Sequence, residues 1–218
     1  VARQSAPCPD RPSEPETMRF LSLLNQYFGY ESFRGSQAEV IDRVTQGQHA
    51  LLIAPTGSGK SLCYQIPALA TGRPSDLVLV LSPLVALMQD QVDSLLRRGI
   101  EACFVNSSLS RVDRLSRYKE IGEGRYRIVY VTPERFRKLE FLDVITQRNI
   151  SLLAVDEAHC VSEWGHDFRP DYTRLADIRS QLGNPPTLGL TATATRDCQI
   201  DIIGQLGLLE SEVKIFHE

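Results

Sequence analysis

The chain has no apolar run long enough to span a bilayer, and its N-terminus lacks the short apolar core of a signal peptide. A spanning helix and a cleaved secretory leader are therefore not expected. Cysteine is sparse: Cys8, Cys63, Cys103, Cys160 and Cys198 are odd in number and scattered, and no pair has the spacing of zinc ligands. They read as reduced thiols of an intracellular protein, cytoplasmic in a bacterium or nuclear in a eukaryote. No charge of one sign dominates, since the formal net charge is -3. Any contact with nucleic acid must then be local, because the molecule as a whole exerts no pull on a polyanion. Internal repeats and low-complexity blocks are missing too, and Trp164 is the only tryptophan.

What is present is ordinary for a soluble globular protein: 42% apolar and 23% charged residues in 218 positions, enough for one well-packed domain. Residues 1–16 carry Pro7, Pro9, Pro12 and Pro15 among polar neighbours and are expected to form a disordered leader, with the domain occupying 17–218. The chain starts with Val, so it is expected to be a fragment of a longer protein. Phe20, Leu21, Leu24, Tyr27 and Phe28 recur at helical spacing up to Gly29, and a second helix is predicted over Ser36–Gln46. Apolar strands are then predicted at 50–54, 77–82, 102–105, 127–132, 150–155 and 187–191. Helices are predicted between and after them at 60–70, 84–98, 110–121, 133–147 (with a break), 171–182 and 196–206. Alternation of this kind implies an α/β fold with a parallel sheet covered by helices on both faces.

Ala54-Pro55-Thr56-Gly57-Ser58-Gly59-Lys60-Ser61 follows the first apolar strand and precedes a helix, the setting of a phosphate-binding loop. Gly57 and Gly59 allow successive N–H groups to face an anion, and the helix N-terminus adds partial positive charge. Lys60 can reach β- and γ-phosphates, and the Ser61 hydroxyl can ligate magnesium. Ala54 stands where the generic pattern has glycine. A second motif, Asp156-Glu157-Ala158-His159, closes the strand at 150–155, at the sheet edge where ligands of open α/β sheets bind. Asp156 can hold the magnesium ion through its water shell, and Glu157 can orient and deprotonate a water. A helix cap with acidic first-turn residues is the plainer account of that pair, but the two motifs in this order indicate an NTPase core.

Three further segments sit at strand ends: Ser82-Pro83 opening 84–91, Thr132-Pro133-Glu134-Arg135, and Thr191–Thr195. Each alone is a good helix cap; each can also hold phosphate. Taken in order with Tyr27–Gln37, with Ser61-Leu62-Cys63-Tyr64-Gln65-Ile66-Pro67, and with the aromatic-rich stretch Cys160–Tyr172, they resemble superfamily-2 helicases and in particular the RecQ family of DNA helicases, from about Asn25 to the C-terminus. The resemblance implies a single RecA-like P-loop NTPase domain, the first of two in the longer protein, using ATP and Mg. It makes Arg34 part of the nucleotide site beside Thr56, Gly57, Ser58, Gly59, Lys60 and Ser61, and His159 a relay to the DNA site. Tyr30 can stack on adenine, and Gln37 can read its edge. Trp164, His166, Phe168 and Arg169 are expected to meet unstacked bases of single-stranded DNA, with duplex DNA as the second partner. A buried Trp164 anchoring its loop is the alternative.

By the same resemblance a second RecA-like domain supplies an arginine finger, and a monomer without membrane contact is expected. Arg97, Arg98, Arg135, Arg137 and Lys138 are read as a solvated face before any phosphate role. Two other functions stay open: a nucleotide- and DNA-binding half without turnover of its own, and a related RNA helicase, since backbone phosphates do not distinguish the sugars. A small-molecule P-loop kinase would need a substrate lid, and no such insertion is seen.

Overall fold

Alternate residues of each strand point to opposite faces, and both faces here are apolar. In β1 (His49–Ile53), Leu51 and Ile53 join one buried cluster while Ala50 and Leu52 join another. The same parity runs through β2 (Asp76–Leu81), β3 (Ala102–Val105), β4 (Ile128–Val131) and, from Leu152 onward, β5 (Asn149–Val155). With β6 (Thr187–Thr191) and β7 (Val213–His217) these strands form one sheet in a computed structural model that describes residues 16–71, 73, 75–162, 169, 172 and 174–218. The strand order is β3-β4-β2-β5-β6-β1-β7, and every pairing is parallel.

Helices cover both faces, as the alternation of elements requires. α2 (Gln37–Thr45), α3 (Leu62–Ala70) and α4 (Val85–Arg97) bury Val40, Val44, Cys63, Tyr64, Met88, Val92 and Leu95 on one side. α5 (Arg111–Gly122), α6 (Leu139–Ile145), α7 (Leu175–Gln181) and α8 (Arg196–Gln205) bury Tyr118, Phe141, Ile178 and Ile202 on the other. α1 (Glu16–Phe28) packs Phe20 and Leu24 against Ile41, Leu62 and Ile66 in a smaller third cluster. Because all strands run the same way, every C-terminal end opens on one edge of the sheet. There the chain leaves β1 for residues 54–61, β2 for Ser82-Pro83, β4 for Thr132-Pro133, β5 for Asp156-Glu157 and β6 for the segment after Thr191.

All six predicted strands are present, and the helix expected at 133–147 does break, into a 3-10 turn Pro133–Arg137 and then α6. The expected helix at 171–182 is described as α7. Two expectations need correction. The sequence pattern gives no strand beyond 187–191, yet β7 pairs with β1 from His49↔Val213 to Ile53↔His217. Arg135, expected on a solvated face, is buried with its guanidinium beside the Tyr118 phenol. Among the described residues no helix is long and apolar enough to cross a membrane, Cys63, Cys103, Cys160 and Cys198 are buried, and no cluster of three His, Cys, Asp or Glu could hold a metal ion.

Candidate functional site

The loop after β1 is built for backbone presentation. Gly57 and Gly59 have φ of +82° and +86°, in the left-handed region where side chains are disfavoured. A Cβ on Gly59 would also lie 2.8 Å from Gln37 Nε2, so this glycine admits a neighbour as well as a turn. The Ser58 N–H closes onto Pro55 O at 3.2 Å and the Leu62 N–H onto Gly59 O at 3.1 Å. The N–H groups of Gly57, Gly59, Lys60 and Ser61 take no partner among the described residues. Ser58 Oγ is buried without a hydrogen-bond partner. Lys60 folds back across the loop, its ammonium donating to Ala54 O at 2.7 Å and Pro55 O at 3.0 Å. A positive group is thus already held on the loop that carries these N–H donors.

Two clefts meet at this loop through Gly57, Gly59, Ser61 and Gln91. On one side lie Phe28, Tyr30, Arg34, Gln37, Gln65 and Arg98. Tyr30 is 48% exposed, with the Arg34 guanidinium 5.9 Å from its ring centroid. Gln37 is only 3% exposed and its amide is engaged with protein. Oε1 accepts from the Arg34 N–H at 3.0 Å, and Nε2 donates to Ser58 O and Gly59 O at 3.0 and 3.2 Å. Both donors are spent, and one lone pair on Oε1 is left. The full donor and acceptor pair expected for reading a base is therefore not presented in this arrangement. Arg98 is exposed, as expected of a solvated face, and also walls this cleft, donating to Tyr27 O at 3.1 Å with its guanidinium 5.2 Å from the Phe28 ring centroid.

On the other side Thr56, Lys60 and Ser61 face Asp156 and Glu157 across the end of the sheet. Asp156 is fixed by its own N–H on Leu81 O at 2.8 Å, and its Oδ1 accepts from the Glu157 N–H at 3.1 Å. Burial, then the neighbouring Glu157, pushes the Asp156 carboxyl up to about 6, against the pull of Lys60. Glu157 takes φ 50° and ψ 46°, a left-handed backbone that costs a residue with a side chain about 1–3 kcal/mol and that recurs at functional sites. Tyr130 lines this cleft, its hydroxyl 3.2 Å from that of Tyr64 behind it. Burial pushes Tyr130 up to about 12 and raises Tyr64 as well, so both phenols stay neutral. Neither tyrosine was singled out for this position, although Tyr64 lies within the stretch following the loop.

His159 Nδ1 lies 3.0 Å from Thr191 Oγ1 and 3.3 Å from Glu157 Oε2. Thr191 Oγ1 donates its one hydrogen to Thr193 O at 3.1 Å. The imidazole Nδ1 thus lies between the acid pair and the end of β6. Trp164, His166 and Phe168 lie outside the described residues. Arg169 joins this edge of the sheet through its backbone N–H on Cys160 O at 3.0 Å and its Nη1 on Pro83 O at 3.0 Å.

The unpaired N–H groups, the orphaned Ser58 hydroxyl and the Ser61–Asp156 juxtaposition match a nucleoside triphosphate with a hydrated divalent cation. Fold and site together define a RecA-like P-loop NTPase domain of the superfamily-2 motor type. Residues 34–200 match the DEAD/DEAH box helicase family, and the chain belongs to that family. It is closely related to bacterial RecQ and RecS proteins. It is 45% identical over 195 residues to the ATP-dependent DNA helicase RecQ of Pasteurella multocida, covering 89% of this chain and 30% of that protein. It is 44% identical over 186 residues to the probable ATP-dependent DNA helicase RecS of Bacillus subtilis, covering 85% of this chain and 36% of the relative. The chain thus spans about a third of these relatives' length. Among solved structures it superposes on the DUF1998 helicase MrfA bound to DNA with a TM-score of 0.71 at 18% identity, over 95% of this chain and 30% of that one, a likeness of fold.

Proposed function

We propose that this chain is an ATP-binding motor domain of a DNA helicase, which in a longer protein couples ATP hydrolysis to movement along single-stranded DNA and to duplex unwinding. The observation that carries the reading is the cradle of unpaired N–H groups at Gly57, Gly59, Lys60 and Ser61 set against Asp156 and Glu157 in one cleft. Similarity to RecQ and RecS supplies the DNA. Bound ATP with magnesium would bring the phosphoryl chemistry itself.

The chain's residues then have separate tasks. Gly57, Gly59 and Ser61 offer N–H groups to the phosphates, while Lys60 exchanges the carbonyls of Ala54 and Pro55 for phosphate oxygens. Thr56 and Ser58 line the same loop. Ser61 and Asp156 would hold the magnesium, and Glu157 would orient the attacking water and accept its proton. Tyr30 stacks on the base beside Arg34. The remaining lone pair of Gln37 accepts from adenine's amino group, where guanine would present an oxygen. His159 transmits between the acid pair and β6. Trp164, His166, Phe168 and Arg169 take the single strand, and a second RecA-like domain closes the nucleotide cleft with an arginine.

Steady-state turnover tests this division of labour. The chain alone should bind ATP yet hydrolyse it very slowly, even with saturating single-stranded DNA, because charge developing on the γ-phosphoryl group lacks that arginine. Loss of such a finger lowers turnover by about 10³–10⁵. DNA-stimulated hydrolysis at ordinary helicase rates that vanishes in Glu157→Gln would refute the division and make this half a complete ATPase. RNA stimulating as well as DNA would favour the RNA-helicase reading.

A further inference from the structure

Ser36 occupies the N-cap position of α2, yet its hydroxyl does not cap the helix. It donates instead to Glu218 Oε1 at 2.8 Å, and the Ser36 N–H donates to the same oxygen at 2.6 Å. The carboxylate arrives from 182 positions along the chain. It is aimed there by the sheet: β7 pairs with β1 up to His217, and the Glu218 N–H continues the ladder on Ile53 O at 3.0 Å. The preceding residue makes room. Gly35 has φ +47°, and a Cβ there would fall 2.2 Å from Glu218 Oε1. A carboxylate at the start of α2 also meets the positive end of that helix.

The next residue is Gln37, whose amide joins Arg34 to the carbonyls of Ser58 and Gly59. One continuous set of contacts therefore runs from the end of β7, through Glu218 and Ser36, to Gln37 and into the phosphate loop. Its two ends are the strand that flanks β1 and the glycine turn that β1 delivers. We infer that Glu218 is a positioning residue for the nucleotide site: its carboxylate sets where Gln37 sits, and so sets the discrimination of adenine from guanine. The effect on selectivity rests on the nucleotide reading above; the effect on Gln37 does not.

The substitutions are Glu218→Ala, which removes the acceptor, and Glu218→Gln, which keeps an oxygen acceptor for Ser36 without the charge. NMR of the ligand-free chain follows the Ser36 amide and the Gln37 side-chain amide, and fluorescent-nucleotide titrations give the ATP-over-GTP affinity ratio. In Glu218→Ala both sets of resonances should move and Ser36 should lose exchange protection. The affinity ratio should fall roughly tenfold, within the span of a good base contact. Glu218→Gln should restore most of each. Lys214→Ala, two residues before Phe216 on the same strand, removes the ion pair with Glu39 and should leave the ratio unchanged. Gln37 resonances that are indifferent to Glu218→Ala would overturn the inference whether or not nucleotide binds. If those resonances shift but the unaltered chain binds ATP and GTP equally, Glu218 keeps its positioning role and the adenine reading falls.

Discussion

Replacing Gln37 by Ala and by Glu separates a structural joint from a simple acceptor. In Gln37→Ala three hydrogen bonds of 3.0–3.2 Å are lost, and Arg34 N, Ser58 O and Gly59 O lose their partner. A neutral bond contributes about 0.5–1.5 kcal/mol net, and these groups are part-buried, so a loss of about 2–3 kcal/mol is expected. For a domain of this size each kcal/mol moves the melting temperature by about 2–4 °C, giving a fall of roughly 4–12 °C. Gln37→Glu is nearly the same shape and still accepts from Arg34 N. It turns an oxygen toward two carbonyl oxygens in place of two donors, so it should cost at least about 1 kcal/mol more than alanine despite the better fit. Thermal melts of the ligand-free variants near pH 7.5 decide the order. A Gln37→Glu protein that melts at or above Gln37→Ala would refute the reasoning, since it would mean that the donors to the loop carry no weight.

Lys60→Ala should weaken ATP-Mg binding by roughly 10–150-fold, the equivalent of one charge-assisted bond at about 1.5–3 kcal/mol, while the melting temperature changes little because its loop partners are part-exposed; calorimetric titration with a melt checks both. Thiol labelling should leave Cys63, Cys103, Cys160 and Cys198 untouched in native buffer, since all four are buried and burial pushes the Cys63 thiol up to about 12 and raises Cys103 and Cys198 as well. Unfolding should release them together, and native labelling of any of the four would contradict the packing. Trp164 emission should change on adding single-stranded DNA, with affinity falling as salt rises; an unchanged spectrum at saturating DNA would favour the anchoring role instead.

The sheet was legible because its strands are apolar on both faces and punctuated by helices, which leaves few other packings. β7 escaped because only Phe216 of its five residues is buried; Lys214 and His217 are exposed, as suits an edge strand. The glycine loop and the acid pair declare themselves through spacing and residue type. What residue type does not convey is where a versatile group spends its bonds. An amide can read a base or bridge two loops, and Gln37 bridges. A lysine can meet phosphate or its own backbone, and Lys60 meets Ala54 and Pro55. Glu218 and Ser36 are too far apart in the chain for any local pattern to pair them.

The parallel register of β7 against β1 also has a mechanical side. A pull applied at Glu218 along the strand would load the ladder rungs between His49–Ile53 and Val213–His217 in shear, so several hydrogen bonds would share the force. Tension arriving from that end is thus passed, with little stretch, to the strand that carries the phosphate loop, which makes β7 a stiff tether and not a slack one.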